Sequence, residues 1–225
     1  MKKNNVLIIV AHADDETLGC GGTIQKFKKL GHQVYVMVFT DGETSRTKNL
    51  SKKIKNRSDQ LKKVSKLLNF KIFKHYNLPD NELDKISNLE LTKKIELAII
   101  KINPEIILTH SNKDLNIDHQ KISNATITAC RPLPQSKIKQ LLFFETLSST
   151  EWNFNSNKTN FNPNKFYDIG DFIEKKLEAI KIYKSEIRQY PHPRSLEGIK
   201  ILSKYRGQSI GVNYAEAFEV GYIKD

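Results

Sequence analysis

Residues 6–22, VLIIVAHADDETLGCGG, constrain the fold of this chain more than any other stretch. An unbroken apolar run, Val6 to Val10, leads into His12-Ala13-Asp14-Asp15-Glu16, and a glycine-rich turn follows. A strand apolar on both faces belongs inside a parallel sheet covered by helices. A histidine and three acids at its mouth cost desolvation energy unless something uses them. One His and two Asp within four residues can hold a divalent metal and still leave a carboxylate free as a base. The stretch reads as one half of a metal-hydrolase site.

The rest of the chain continues the alternation. Gln33–Thr40, Phe70–His75, Glu105–Thr109 and Gln140–Glu145 read as strands. Between and after them, Glu16–Leu30, Lys48–Leu68, Leu89–Ile102, Asp118–Ala129 and Phe172–Ile187 carry helical periodicity. Asn153–Asn164 is Asn-rich and reads as an exposed loop. The segment from Tyr190 onward reads as irregular around a helix near Leu196–Tyr205. This predicts an α/β fold: a Rossmann-like parallel sheet flanked by helices on both faces. At 225 residues the chain suits one domain over 1–225, too short for two comfortable cores. Sites in such sheets form beyond the carboxyl ends of strands, at the switch in strand order. The first and fourth strands are the expected neighbours there, which would bring residues 12–16 and 110–119 together.

The net charge of +12 would suit a nucleic-acid protein. The lysines are spread along the whole chain, however, and no RNA- or DNA-binding motif appears, so no nucleic-acid partner is expected. The positive field instead favours an anionic small substrate. No apolar run approaches the roughly 18 residues of a membrane span. The opening MKKNNVLIIVA has a signal-peptide look, but its apolar part runs straight into HADDE. It reads as the first strand of a cytoplasmic protein. Cys20 and Cys130 are far apart and form no disulfide framework or metal knuckle.

The second half of the site is THSNKDLNIDH, Thr109 to His119, as polar as the first and following its own strand. His12, one of Asp14 and Asp15, and His119 would supply two imidazoles and a carboxylate. That leaves an open position, the usual shape of a catalytic zinc site. The other aspartate can act as proton carrier.

These paired motifs resemble the PIG-L/LmbE-like family of zinc-dependent N-deacetylases, whose hallmark is A-H-P-D-D-E followed by H-P-D-H. TDGE (40–43), an Arg-led helix from Arg57, LPDNELD (78–84) and NYAEAFE (213–219) sit where the family places similar elements. The resemblance implies an LmbE-like α/β domain that removes the acetyl group from an acetamido sugar, free or nucleotide-linked. It implies zinc on His12, Asp15 and His119, with iron(II) possible in the cell, and Asp14 as base and then acid. Glu16 would brace the loop, and Asp118 would orient a ligand or the base. Arg57, Asp80 and Glu43 would hydrogen-bond sugar hydroxyls.

Two positions depart from the family pattern. Ala13 replaces a proline. Asn116 stands where the family commonly has a histidine that stabilises the tetrahedral oxyanion. Asn116 can still donate a hydrogen bond without charge, and His110 and His192 are candidates for a cationic donor. In ETLSSTEW (145–152), Trp152 could stack on a sugar ring, and Arg194 could meet a substrate phosphate. A homo-oligomer is compatible with the sequence. Three rivals fit less well. An iron(II) oxygenase site belongs on an all-β jelly roll. A phosphate loop at GCGG (19–22) lacks the G-x-G-x-x-G spacing. A sugar- or nucleotide-binding module that has lost catalysis would not need all three ligands and Asp14. A small glycoside of thiol or antibiotic biosynthesis is the alternative substrate.

Overall fold

The structure, a computed structural model, describes residues 3–45, 50–154 and 160–224. Strand β1 (Asn5–Val10) is followed by α1 (Asp15–Lys29), β2 (Gln33–Thr40), α2 (Leu50–Leu68), β3 (Lys71–Leu78), α3 (Asn88–Ile102), β4 (Ile106–His110), α4 (Ile117–Ala129) and β5 (Gln140–Phe144). The chain then forms β6 (Lys165–Asp168), α5 (Ile173–Ile182), α6 (Leu196–Gln208) and β7 (Ala215–Ile223). The sheet order is β3-β2-β1-β4-β5-β7-β6. β1 pairs with β2 and with β4, both in parallel, so the strand order does switch between the first and fourth strands.

β1 shows why two helical layers are needed. Val6, Ile8 and Val10 point into a core completed by Ile24 and Phe27 of α1, Leu61 and Val64 of α2, and Ala179 of α5. Leu7 and Ile9 point to the opposite side, against Leu91, Ile95 and Ala98 of α3 and Ile122 of α4. With period two, a strand apolar at every position feeds both cores.

Three differences from the expected elements have physical causes. β7 and β6 close the sheet in antiparallel fashion, although the sequence from Tyr190 onward, where β7 falls, reads as irregular around one helix. β7 carries Glu216 on a buried stretch, and a buried glutamate does not look like a strand. Lys176 of α5 neutralises it at 2.6 Å. The helix expected over 172–187 ends at Ile182, because the backbone turns at Tyr183, and Glu186 beyond it pairs with Arg57 and Arg194. Residues 48–49 of the expected second helix and 155–159 of the expected Asn-rich loop lie outside the described residues.

The glycines of GCGG serve packing. A Cβ on Gly19 would stand 2.2 Å from Phe144 Cδ2, so α1 approaches β5 only without a side chain there. Among the described residues, no helix is long and apolar enough to cross a membrane.

Candidate metal centre and active site

The β1–α1 turn delivers His12, Asp14, Asp15 and Glu16 to the carboxyl end of the sheet. Asp14 has φ 153° and ψ −27°, a conformation that costs a non-glycine residue of order 1–3 kcal/mol and persists only where surroundings enforce it. Glu16 enforces it. Its Oε2 accepts the Asp14 N–H at 3.0 Å, and its Oε1 accepts hydroxyl bonds from Thr17 and from Tyr183 at 2.7 and 2.8 Å. Burial pushes the Glu16 carboxyl up to about 7.

From β4 the chain enters its second polar loop, and α4 starts at Ile117 because Asn116 caps it. The Asn116 side-chain oxygen accepts the N–H groups of Asp118 and His119 at 2.8 and 3.3 Å. That cap sets His119 against His12. His12 Nδ1 lies 3.1 Å from His119 Nε2 and 3.1 Å from Asp15 Oδ2, and His119 Nε2 lies 3.3 Å from Asp15 Oδ2. Donor atoms of His12, Asp15 and His119 converge closely enough to share one cation. Asp15 Oδ1 is buried with no hydrogen-bond partner among the described residues. Two imidazoles, a carboxylate and an orphaned buried oxygen fit a divalent ion such as zinc.

The ligand set is held from behind. His12 Nε2 faces Asp80 Oδ1 at 3.0 Å and Asp118 Oδ2 at 3.3 Å. Donation of the Nε2 proton to these carboxylates leaves the Nδ1 lone pair for a metal. Asp118 also accepts the N–H groups of Asn81 and Leu83 at 2.8 and 3.0 Å, tying the β3–α3 loop to the centre. Behind His119, Nδ1 lies 3.1 Å from Asp114 Oδ1. Burial opposes charge on His119, but Asp114 and Asp15 raise its pKa to about 9. Asp15, despite burial, is held well below the usual carboxylate range, first of all by His119.

Asp14 is 3% exposed and opens onto a narrow cleft with His12, Asp80 and Asn116. Burial raises its pKa to about 6, against the pull of Arg194. The Arg194 Nη1 lies 3.1 Å from both Asp14 Oδ2 and Glu186 Oε2, and its Nε donates to Leu147 O at 3.1 Å.

Several expected residues stand elsewhere or serve otherwise. His110 was a candidate cation, but it is fully buried and its Nε2 accepts the Ala11 N–H at 3.0 Å. With Nε2 occupied as an acceptor, the ring is neutral; burial and the neighbouring His119 lower its pKa to about 3. His192 does not line the cleft; its Nδ1 accepts the Arg194 N–H at 3.0 Å, and its ring meets Trp152 edge-on. Trp152 lines a separate open groove with Leu115 and Phe154. Arg57 borders the cleft, yet its donors go to Glu43, Glu186 and the Ala13 carbonyl rather than to free space. Glu43 is occupied by that same arginine.

Two residues escape the sequence reading. Asp114 lies inside the quoted loop, but nothing in the sequence pairs it with His119. Ser149 and Thr150 donate to its carboxylate, so ETLSSTEW braces the candidate site. Glu186, the carboxylate between Arg57 and Arg194, carries no motif at all.

Residues 7–130 match the family model PIG-L, described as GlcNAc-PI de-N-acetylase. The chain belongs to the PIG-L family. This PIG-L protein is 29% identical over 192 residues to the uncharacterized deacetylase YaiS of Escherichia coli, covering 82% of this chain and 92% of that one. It is 26% identical over 222 residues to the diacetylchitobiose deacetylase of Thermococcus kodakarensis, covering 94% and 80%. Its fold superposes on the N,N'-diacetylchitobiose deacetylase of Pyrococcus horikoshii in complex with the inhibitor MPG. That match has a TM-score of 0.76 at 24% identity, covering 96% of this chain and 83% of that one.

Proposed function

We propose that this PIG-L protein is a zinc-dependent N-deacetylase, one domain over residues 1–225, that hydrolyses the acetamido group of a sugar in the cytoplasm. Iron(II) is the alternative cation in the cell. The observation that carries the reading is the convergence of His12, Asp15 and His119 beside a buried aspartate that opens onto a cleft. His12, Asp15 and His119 would hold the cation, which when bound would supply Lewis acidity to the amide carbonyl and to water. Asp14 takes a proton from the attacking water and returns it to the departing nitrogen. The amide C–N bond breaks, and the products are acetate and the amino sugar.

Glu16 fixes the direction of Asp14, and Asp118 and Asp114 fix the two imidazoles. Asp80 and Asn116 border the cleft beside Asp14 and are positioned to meet substrate there. Relatives named for diacetylchitobiose support an acetamido-sugar substrate. The excess of lysine and arginine, +12 net, favours a nucleotide-linked form over a free sugar.

The test is acetate release from free and nucleotide-linked N-acetylated sugars by zinc-loaded protein, with Asp14→Asn alongside. Release by the wild type that disappears in the variant supports the reading. No release together with no bound metal overturns it.

A further inference from the structure

The family's cationic oxyanion donor has no counterpart at position 116, where this chain has a neutral asparagine. Asn116 spends its side-chain oxygen on the α4 cap and one amide hydrogen on Asn81 Oδ1 at 3.3 Å. An amide hydrolase still develops a negative charge on the former carbonyl oxygen, and a preorganised donor aimed there is a large contribution to rate. His110 is excluded because its Nε2 is already an acceptor for the Ala11 N–H. His192 stands outside the cleft. Arg57 borders the cleft but is clamped by Glu43, Glu186 and the Ala13 carbonyl.

We propose that Arg194 is the cationic donor that faces the oxyanion in this chain, a refinement that rests on the deacetylase reading above. Three contacts fix its guanidinium: Nη1 to Asp14 and to Glu186, and Nε to the Leu147 carbonyl. Among the described residues, Nη2 makes no hydrogen bond to protein, and the side chain borders the cleft with 15% exposure. A planar fork held at two of its nitrogens presents the third in a set direction. Glu186 shares Nη1 with Asp14, so the group stays anchored if Asp14 changes its bonding.

The pairing with Asp14 also times the charge. In the resting enzyme the Asp14 carboxylate offsets the guanidinium. When Asp14 accepts the proton of the attacking water, that offset disappears, while the same step places negative charge on the carbonyl oxygen. The cation is thus strongest toward the transition state and weaker toward the neutral amide, the differential binding that raises kcat.

The test compares two ligands on zinc-loaded protein by calorimetry. One is neutral N-acetylglucosamine; the other is glucosamine bearing a methylphosphonyl group on nitrogen, a tetrahedral anion. Arg194→Met is expected to lose about 100-fold in affinity for the phosphonyl sugar and about 10²–10³ in kcat. Affinity for the neutral sugar should stay within about threefold, with zinc still bound stoichiometrically. Arg194→Lys, which keeps a charge, should retain part of the preference for the anion, and methylguanidine should restore part of the Arg194→Met rate. Equal losses on both ligands, or no loss, overturn the assignment. Should Arg194→Met fail to fold, an Arg194→Lys protein that binds the neutral sugar like the wild type but the phosphonyl sugar several-fold more weakly supports it, and one unchanged on both ligands overturns it. One that loses both equally also overturns it. Acetate release by the wild type with an unaffected Arg194→Met rejects only this assignment. A wild type that neither releases acetate nor prefers the anion rejects the deacetylase reading with it.

Discussion

Asp114 Oδ1 lies 3.1 Å from His119 Nδ1, on the opposite edge of the ring from the Nε2 that faces Asp15. The imidazole therefore stands between two carboxylates, one near each nitrogen. The rear carboxylate fixes the tautomer and makes the forward nitrogen a better ligand. Asp114→Asn keeps the shape and removes the charge. Its zinc affinity, measured by competition with a chromophoric chelator, should fall about 10–100-fold. Affinity equal to the wild type would mean that Asp114 is only a loop brace.

Cation removal should be visible without substrate. A ligand that binds only the folded state stabilises it by about 2.7 kcal/mol at a hundredfold excess over Kd. Calorimetric melting of zinc-loaded protein against chelator-treated protein should show a lower Tm after chelation. Asp15→Asn should erase the difference, because Asp15 faces both imidazoles.

Glu16 holds the strained Asp14 backbone and the Tyr183 hydroxyl from inside the core. Glu16→Ala orphans these two donors and the Thr17 hydroxyl, each costing about 1–3 kcal/mol. Urea unfolding should report a loss of that order, while Tyr183→Phe, which removes one bond and leaves Glu16 with two others, should lose only about 1 kcal/mol.

Gly19 and Gly21 make a matched pair for packing. A Cβ at Gly19 would overlap the Phe144 ring at 2.2 Å, whereas at Gly21 it would meet Lys176 Cγ and Thr17 Cγ2 at 3.3 Å. Gly19→Ala should destabilise by about 1–3 kcal/mol through overpacking, and Gly21→Ala by clearly less. Denaturant midpoints of the two variants check this, and equal midpoints would contradict the close approach of α1 to β5.

Much of the centre was legible in the sequence because its two halves each follow a continuous apolar run, Val6–Val10 and Ile106–Leu108. Both runs read as buried strands and expected neighbours, and their pairing sets His12 near His119. What escaped the sequence was pairing over long separations. Arg57 finds Glu43 14 positions away and Glu186 129 positions away. A buried arginine spent on such partners cannot be told from a substrate-binding one by its neighbours in the chain. β7 escaped for the same reason, since Glu216 looks like a surface residue until Lys176 is set against it. His110 misled in the other direction: its acceptor bond from Ala11 crosses from β1 to β4 and leaves no mark in either segment.

The strand order has a consequence for how the protein comes into being. β6 pairs with β7, and β7 lies between β6 and β5. Through Glu216, β7 also receives the N–H groups of Gly22 and Thr23, at the middle of α1. A ribosome that has made residues 1–214 has thus made every proposed metal ligand, the base and Arg194. It has not yet made the strand that joins one side of the sheet and ties down the helix bearing half of the centre. Activity should therefore switch on late and all at once during synthesis, and a nascent chain stalled before β7 should carry the right residues without a working pocket.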